Sequence, residues 1–274
     1  MRSTVLLLLK RDLSGSLRSR WLLGFVASFA AMGASFAYLG ALGLGQVGFR
    51  AYSAAVAGII NLNLYVVPLA AVVASSLSLV AERERGTMEF LLSLPLARWE
   101  LVLSRLCAGV LSLAAAIAMG YGLASWALWL LLSEADLWVY LSMLGASVLL
   151  AFSFSGIGTL ISSLTRSRFA ALALALGVWI GLVMVYEVAL MAAVILLGLD
   201  APTVIALMVL NPVQASRLMM VHSVDPTLSF LGEFGVLLVR ELGGLLVPLL
   251  VASQLAVGLA CTALALLAFG RSEL

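Results

Sequence analysis

An all-α, polytopic membrane protein with six spanning helices is the fold class this sequence predicts, and three observations carry it. The chain is 64% hydrophobic and 10% charged, where soluble domains carry about a quarter charged residues. Several apolar runs reach the roughly 18 residues that read as a bilayer-spanning helix. The densest charge cluster, residues 82–98, sits between two such runs, as a soluble-facing loop must.

In chain order, residues 3–20 place Leu6, Leu9, Leu13 and Leu17 on one helical stripe, with Arg11 and Arg18 on the other side. This is the pattern of an interfacial elbow helix, its basic side chains among anionic headgroups and Lys10 snorkelling from the edge. The plainer alternative is a basic flank before the first span. Residues 5–9 are too short an apolar core for a signal peptide, and basic residues follow them instead of a cleavage site.

Spans are expected over 21–42, 54–80, 103–132, 138–163, 169–197 and 242–269. Gly43, Gly45, Gly48 and Arg50 mark the first loop, and Glu134 and Asp136 make a tight acidic turn before the fourth span. Residues 165–168 turn the chain back into the fifth. Pro68 and Pro248 are expected to kink their helices. Between the last two spans, residues 201–210 are apolar but too short to cross. Asn211-Pro212 breaks them, and Asp225-Pro226 and Gly232 punctuate the remainder, so 198–241 reads as short external helices dipping into the outer leaflet. Residues 1–274 form one membrane domain, without an internal repeat or a soluble domain.

Basic residues set the orientation. With the N-terminus inside, inner segments hold Arg2, Lys10, Arg11, Arg18, Arg20, Arg83, Arg85, Arg98, Arg105, Arg166, Arg168 and Arg271, whereas outer segments hold Arg50, Arg217 and Arg240. The positive-inside rule then places both termini in the cytosol of a cell with a cytoplasmic (inner) membrane, and an even number of spans requires the same.

Composition also excludes functions. The sole lysine is Lys10, so no glycine-rich phosphate loop ends in Lys-Ser or Lys-Thr. A single histidine leaves no HExxH motif and no plausible Ser-His-Asp arrangement. The chain is therefore expected not to be an enzyme, and any work against a gradient must draw on a partner or an ion gradient. Cys107 and Cys261 fall within spans and suit packing better than a disulfide framework or zinc site. No nucleic-acid partner is expected, and membrane lipid is.

An ion-coupled carrier needs ionisable groups inside the membrane. Glu187, in VMVYEVAL, is the acidic residue clearly inside a span, and the sequence offers it no buried basic partner. It reads either as the polar lining of a central cavity or as a partly hydrated group near the outer headgroups. Asn61, Asn63, Gln254 and the fourth-span run SFSGIGTLISS are candidates for interhelical hydrogen bonding. Gly177 and Gly181 form a GxxxG motif, which with Glu187 marks a candidate conduit or dimer interface. Met219, Met220 and His222 could hold a soft metal such as Cu(I); the alternative is an interfacial helix whose methionines pack on lipid.

The cluster itself reads ERERGTMEFLLSLPLAR over 82–98. Gly86 breaks the charged run, Thr87 suits an N-cap, Glu89 suits the first helical turn, and Pro95 ends the segment. Met88, Leu91 and Leu92 form one stripe, Phe90 and Leu94 another. A short helix apolar on two sides can pack on its own spans and present a knob to a partner's groove. Otherwise it rests in the headgroups.

The run ERERGTMEFLLSLPLARWELVLSRL resembles the cytoplasmic loop of ABC-2-type exporter permeases. Gly86, Thr87, Glu89, Leu91, Leu92, Pro95, Arg98 and Arg105 match, and many relatives carry Lys where Arg105 stands. The likeness extends over nearly the whole chain: elbow helix, spans, and external helices before the last. It implies a type V exporter fold with two permease copies and two separate ATPase subunits. ATP and Mg would sit on the ATPases, with no cofactor in this chain. Glu82, Glu84, Gly86, Thr87, Glu89, Phe90, Leu91, Leu92, Pro95 and Arg98 would carry the coupling.

Three further runs, LRSRWLL, ALALGVWIGLVMVYEVAL and LNPVQASRLMMV, resemble the narrower NosY group, permeases of the complex that matures nitrous oxide reductase. In that group an aromatic residue usually precedes the arginine matching Arg217, where this chain has Ser216, and Asp is common where Glu187 stands. This resemblance implies a NosF-like ATPase at 82–98, a second copy of the chain, and a NosD-like periplasmic protein on the outer helices near Asn211, Pro212 and Arg217. Competing functions are ABC-2 export of lipid or drug-like amphiphiles beside the fifth helix and, from another class, an ion-coupled secondary carrier using Glu187.

Overall fold

The computed structural model describes residues 13, 15, 20–42, 49–86, 97–132 and 136–271, and every regular element among them is helical. The expected elbow helix lies outside the described residues except at Leu13, Gly15 and Arg20, and so does the expected coupling helix over 88–94.

Helices α1 (Arg20–Leu42) and α2 (Phe49–Ser76) cover the first two expected spans. α2 runs on through Pro68, then stops at Ser76, short of the expected boundary at 80. A turn over 77–79 comes next, and the chain resumes as the short α3 (Val80–Glu84). α4 (Arg98–Leu132) starts at Arg98 instead of 103. α5 (Leu137–Leu164) matches the fourth span and begins at an N-cap. There Asp136 Oδ1 accepts the backbone N–H groups of Trp138 at 2.8 Å and Val139 at 3.4 Å. The fifth span is α6 (Arg168–Ile180), a π-helical turn (Gly181–Val185) and α7 (Tyr186–Leu197) in direct succession. Ser167 caps its start, and Gly198, at φ 59°, ends it.

The region before the last span contains α8 (Ala201–Leu210), α9 (Pro212–Val224) and the amphipathic α10 (Glu233–Leu242). α11 (Leu246–Arg271) closes the chain. Pro248 stands in the first turn of α11, and the 3-10 turn over Gly243–Leu245 contains Gly244, the residue four before it, whose carbonyl a proline cannot bond. The break at Asn211 is where the sequence puts it, and it bends α8 against α9 by 104°.

Five described spans are long and apolar enough to cross a membrane, with α2–α3, α6–α7 and α10–α11 each counted as one, or six if the bent pair α8–α9 counts as one span. α1 contributes a shorter apolar stretch, Leu23–Phe36.

The core is organised around α5, which packs on α2, α4, α9 and α11. Beside large buried residues such as Leu150 and Phe154, many of its inward positions are small or hydroxylic: Ser147, Ser153, Ser155, Gly156, Gly158, Thr159, Ser162 and Ser163 are all buried. Small side chains let backbones approach, which is how helices associate where lipid is as apolar as leucine. At Gly156 an added Cβ would lie 2.6 Å from the carbonyl oxygen of Gly258 in α11. At Gly158 it would lie 2.7 Å from the carbonyl oxygen of Val72 in α2. The Ser153 hydroxyl adds a cross-helix bond, donating to the Gln254 carbonyl at 2.8 Å. Towards α1, a run of rings fills the gap: Phe29 meets Tyr121 edge-on at 5.3 Å, and Tyr121 meets Tyr140 at 6.3 Å.

α9, one of the short helices expected to dip into the outer leaflet, is buried against the chain's own helices. Pro212, Val213, Gln214, Ala215, Ser216, Leu218 and Met220 are buried. The helix lies against α2, α5 and α11, and Ser216 Oγ donates to the Ala146 carbonyl of α5 at 3.3 Å. A short helix carrying Gln214 and Ser216 is poorly matched to lipid, and burial against a hydroxyl-rich helix gives the Ser216 hydroxyl a partner.

Candidate functional site

At one end of the bundle the termini of five helices meet around α3. Its charges are satisfied by helix ends as much as by opposite charges. Arg83 donates to the last carbonyls of α5, at 3.4 Å to Ser163 and 2.8 Å to Thr165, and its guanidinium lies 5.6 Å from the centre of the Phe269 ring. Glu84 receives the backbone N–H of Arg168 at 2.7 Å and pairs with its side chain at 2.8 Å, placing a carboxylate at the start of α6. Glu82 pairs with Arg105 of α4 at 2.7 Å. Arg98, at the start of α4, donates to the Gly270 carbonyl at the end of α11, at 3.1 Å. Glu100 folds back to accept the Ala97 N–H at 3.0 Å, one arm of a capping box. Arg83 and Arg98 reach the carbonyl ends of neighbouring helices, and Glu84 and Glu100 reach N–H ends, as the helix dipoles favour.

Of the expected coupling residues, Glu82, Glu84 and Arg98 are brought together here and turned towards the chain's own helices. Gly86 is exposed at φ 69°, the left-handed region that favours glycine, directly after α3. Thr87, Glu89, Phe90, Leu91, Leu92 and Pro95 lie outside the described residues. Arg83, Arg168 and Ser162 belong to this end as well, although nothing in their local sequence marks them as site residues. Ser162 accepts the backbone N–H groups of Leu79 at 3.0 Å and Val80 at 3.2 Å. Its only sequence signal is membership of the hydroxyl-rich run in the fourth span.

Towards the other end, the carboxylate expected to lack a basic partner has one. Arg217 of α9 grips Glu187 of α7 with both terminal nitrogens, at 2.5 and 2.9 Å. The pairing is long-range, its partners 30 positions apart in the chain, so no local spacing could reveal it. Two more bonds join α8–α9 to the fifth span. The Asn211 amide donates to the Leu182 carbonyl inside the π-helical turn at 2.9 Å, and the Tyr186 hydroxyl donates to the Leu207 carbonyl at 2.6 Å. A π turn offsets the carbonyl ladder, and here a side chain takes up one of the displaced groups.

Asn211 and Pro212, expected to contact an external partner, are both buried within the chain, where Asn211 caps α9 through the Val213 N–H at 2.9 Å. Gly177 and Gly181 stand clear: an added Cβ at either would meet nothing within 4 Å. The soft-metal candidates are not gathered. The Met220 sulfur accepts the Asn63 amide of α2 at 3.5 Å, while the Met219 sulfur accepts the Gln254 amide of α11 at 3.2 Å. Met219 and Met220 thus bond different helices instead of packing on lipid, and His222 Nδ1 is buried without a hydrogen-bond partner. Among the described residues no group of three or more His, Cys, Asp or Glu is placed to hold a metal.

Comparison with known proteins places the chain in a family. The family described as ABC-2 family transporter protein matches residues 6–274. The chain is similar to the probable ABC transporter permease protein NosY of Stutzerimonas stutzeri, 32% identical over 229 residues, covering 81% of this chain and 83% of that protein. It is also similar to the protein of the same description from Pseudomonas aeruginosa, 33% identical over 222 residues, covering 79% and 81%. Permease subunits of ABC transporters are generally non-catalytic and work with an ATPase. This chain belongs to the ABC-2 family of transporter permeases.

Proposed function

We propose that the chain is the membrane subunit of a NosY-like ATP-binding cassette transporter, working as a pair of copies in the cytoplasmic membrane with both termini in the cytosol and six spans per copy. Its drive comes from a separate NosF-like ATPase docked on 82–98, and its task is export or force transmission serving the copper site of a periplasmic metalloenzyme of the nitrous oxide reductase kind. A NosD-like periplasmic protein would meet the face formed by the helices before the last span. The observation that carries this most is α3: a short charged helix, next in sequence to the matching leucine-rich run, that grips the ends of α4, α5 and α6 at once. A push on the segment after Gly86 is thereby delivered to three helices.

Leu91→Glu puts a carboxylate into the proposed knob. Affinity purification of the chain co-expressed with its ATPase is expected to lose the ATPase in this variant while the variant's own gel-filtration profile is unchanged. Full retention of the ATPase would sink the docking assignment. The carrier reading is weaker than the sequence alone allowed, because Glu187 is committed to Arg217. Substrate movement that persists under ATP depletion and is abolished by Glu187→Gln would revive it.

A further inference from the structure

We infer that Ser162 is a positioning residue that holds the hydrogen-bond ladder of the second span open at 77–79, so that α3 can shift against the end of α2, which stays fixed in the core. The inference rests on the reading of 82–98 as the place where the ATPase's drive enters.

In an unbroken helix the N–H groups of Leu79 and Val80 would donate to the carbonyls of Ser75 and Ser76. They donate instead to one oxygen, Ser162 Oγ, on a different span. The Ser75 carbonyl is meanwhile taken by the N–H of Ser78 at 3.2 Å and by its hydroxyl at 2.7 Å. A single side chain thus replaces two backbone bonds at a site where Ser162 is fully buried. One turn earlier on the same helix, Gly158 lets α5 touch the end of α2: an added Cβ would meet Val72, Ser75 and Ser76 at 2.7–3.0 Å. The break is therefore built by a matched face of α5 and owes nothing to proline or glycine, since residues 76–81 read Ser-Leu-Ser-Leu-Val-Ala.

Beyond the break, Glu82, Arg83 and Glu84 bind α4, the end of α5 and the start of α6. Motion entering at Gly86 accordingly spreads sideways into three helices rather than along α2. If the Ser162 hydroxyl is removed, two buried N–H groups lose their acceptor, and orphaned buried donors are costly. The nearest remedy is to restore the Ser75 and Ser76 carbonyls as acceptors, which closes the ladder between α2 and α3, whose residues already follow one run from Val56 to Glu84, and ties α3 stiffly to the core.

The test uses the complex with its ATPase in lipid nanodiscs, with Cys107→Ser and Cys261→Ser and an environment-sensitive fluorophore on Leu137→Cys, an exposed position at the opposite end of α5. Ser162→Ala is compared with Ser163→Ala, whose hydroxyl donates only within its own helix, to the Leu160 carbonyl at 2.7 Å. Ser162→Ala is expected to keep the ATPase bound and hydrolysing at the parental rate within about twofold, yet to shrink the ATP-dependent fluorescence change by about tenfold, the population effect of removing bonds to a buried hydroxyl. Ser163→Ala is expected to behave as the parent. An undiminished fluorescence response in Ser162→Ala, with ATPase bound, overturns the inference alone. Failure of the parent to capture an ATPase overturns it together with the proposed function.

Discussion

The fourth and fifth spans are neighbours in the chain and alike in length, 28 and 30 residues, yet their surroundings are opposite. In α5, 44% of the most apolar window is buried inside the chain; in α6–α7 the figure is 6%, although the fifth span is the more hydrophobic of the two. In water the greasier helix would be the core helix. In a bilayer apolar side chains lose nothing by facing lipid, and burial goes to the helix whose small and hydroxylic residues allow close backbone approach and cross-helix hydrogen bonds. SFSGIGTLISS is that kind of surface, and the Leu-, Val- and Ala-rich fifth span is not. The fifth span offers instead a long surface with the Gly177–Gly181 step open, suited to lipid or a second copy.

The sharpest way to break this contrast is to add one methyl group on each side of it. Gly158→Ala drives a Cβ to 2.7 Å from a backbone oxygen, which cannot swing away as a side chain could. A loss of about 2–3 kcal/mol is expected, at the upper end of overpacking costs, read as lower yield of monodisperse protein and a lower melting temperature in detergent. Gly177→Ala meets open space and is expected to leave the melting temperature of the single chain unchanged. Equal losses for the two variants would mean that the fifth span is packed within the chain after all.

A smaller effect is expected where the bare span is anchored. Arg217→Ala leaves Glu187 without its partner near α9, and a cost of about 1–2 kcal/mol is expected for a half-exposed, bidentate pair. The exchange Glu187→Arg with Arg217→Glu should recover part of that loss in a double-mutant cycle. No coupling in the cycle would show the contact to be energetically idle, leaving Asn211 and Tyr186 to hold α8–α9 to the fifth span.

Legibility in the sequence divides along the same line. Span positions, the break at Asn211 and the turn between the fourth and fifth spans are local properties of hydropathy and of Asn-Pro and Ser N-caps, and they can be read directly. The choice of which span is buried and which is bare is also legible, once the serines and glycines of α5 are weighed by face against the leucines of α6–α7. The break at 77–79 is not, because its cause, Ser162, lies 83 residues from Leu79. Glu187–Arg217 and the burial of α9 are long-range in the same way. The charged quartet is visible as a cluster, but its partners at helix ends are tertiary facts.

The smallest effect tests how α3 treats the two spans it joins. Arg83 holds the end of α5 through carbonyl oxygens, half-buried, whereas Glu84 holds the start of α6 through a largely exposed pair with Arg168. Glu84→Gln is expected to cost no more than about 0.5 kcal/mol, in the range of exposed ion pairs. Its cost should fade as salt is raised to about 0.5 M, because screening weakens the exposed pair that the parent has and the variant lacks. Arg83→Gln is expected to cost more and to keep its cost in salt, since its acceptors are helix-end carbonyls that no counterion replaces. Thermal melts of the two variants against the parent, at low and high salt, separate these cases. A salt-resistant loss in Glu84→Gln would mean that the pair with Arg168 is shielded from solvent, and that the bare helix is fixed at this end as firmly as the buried one.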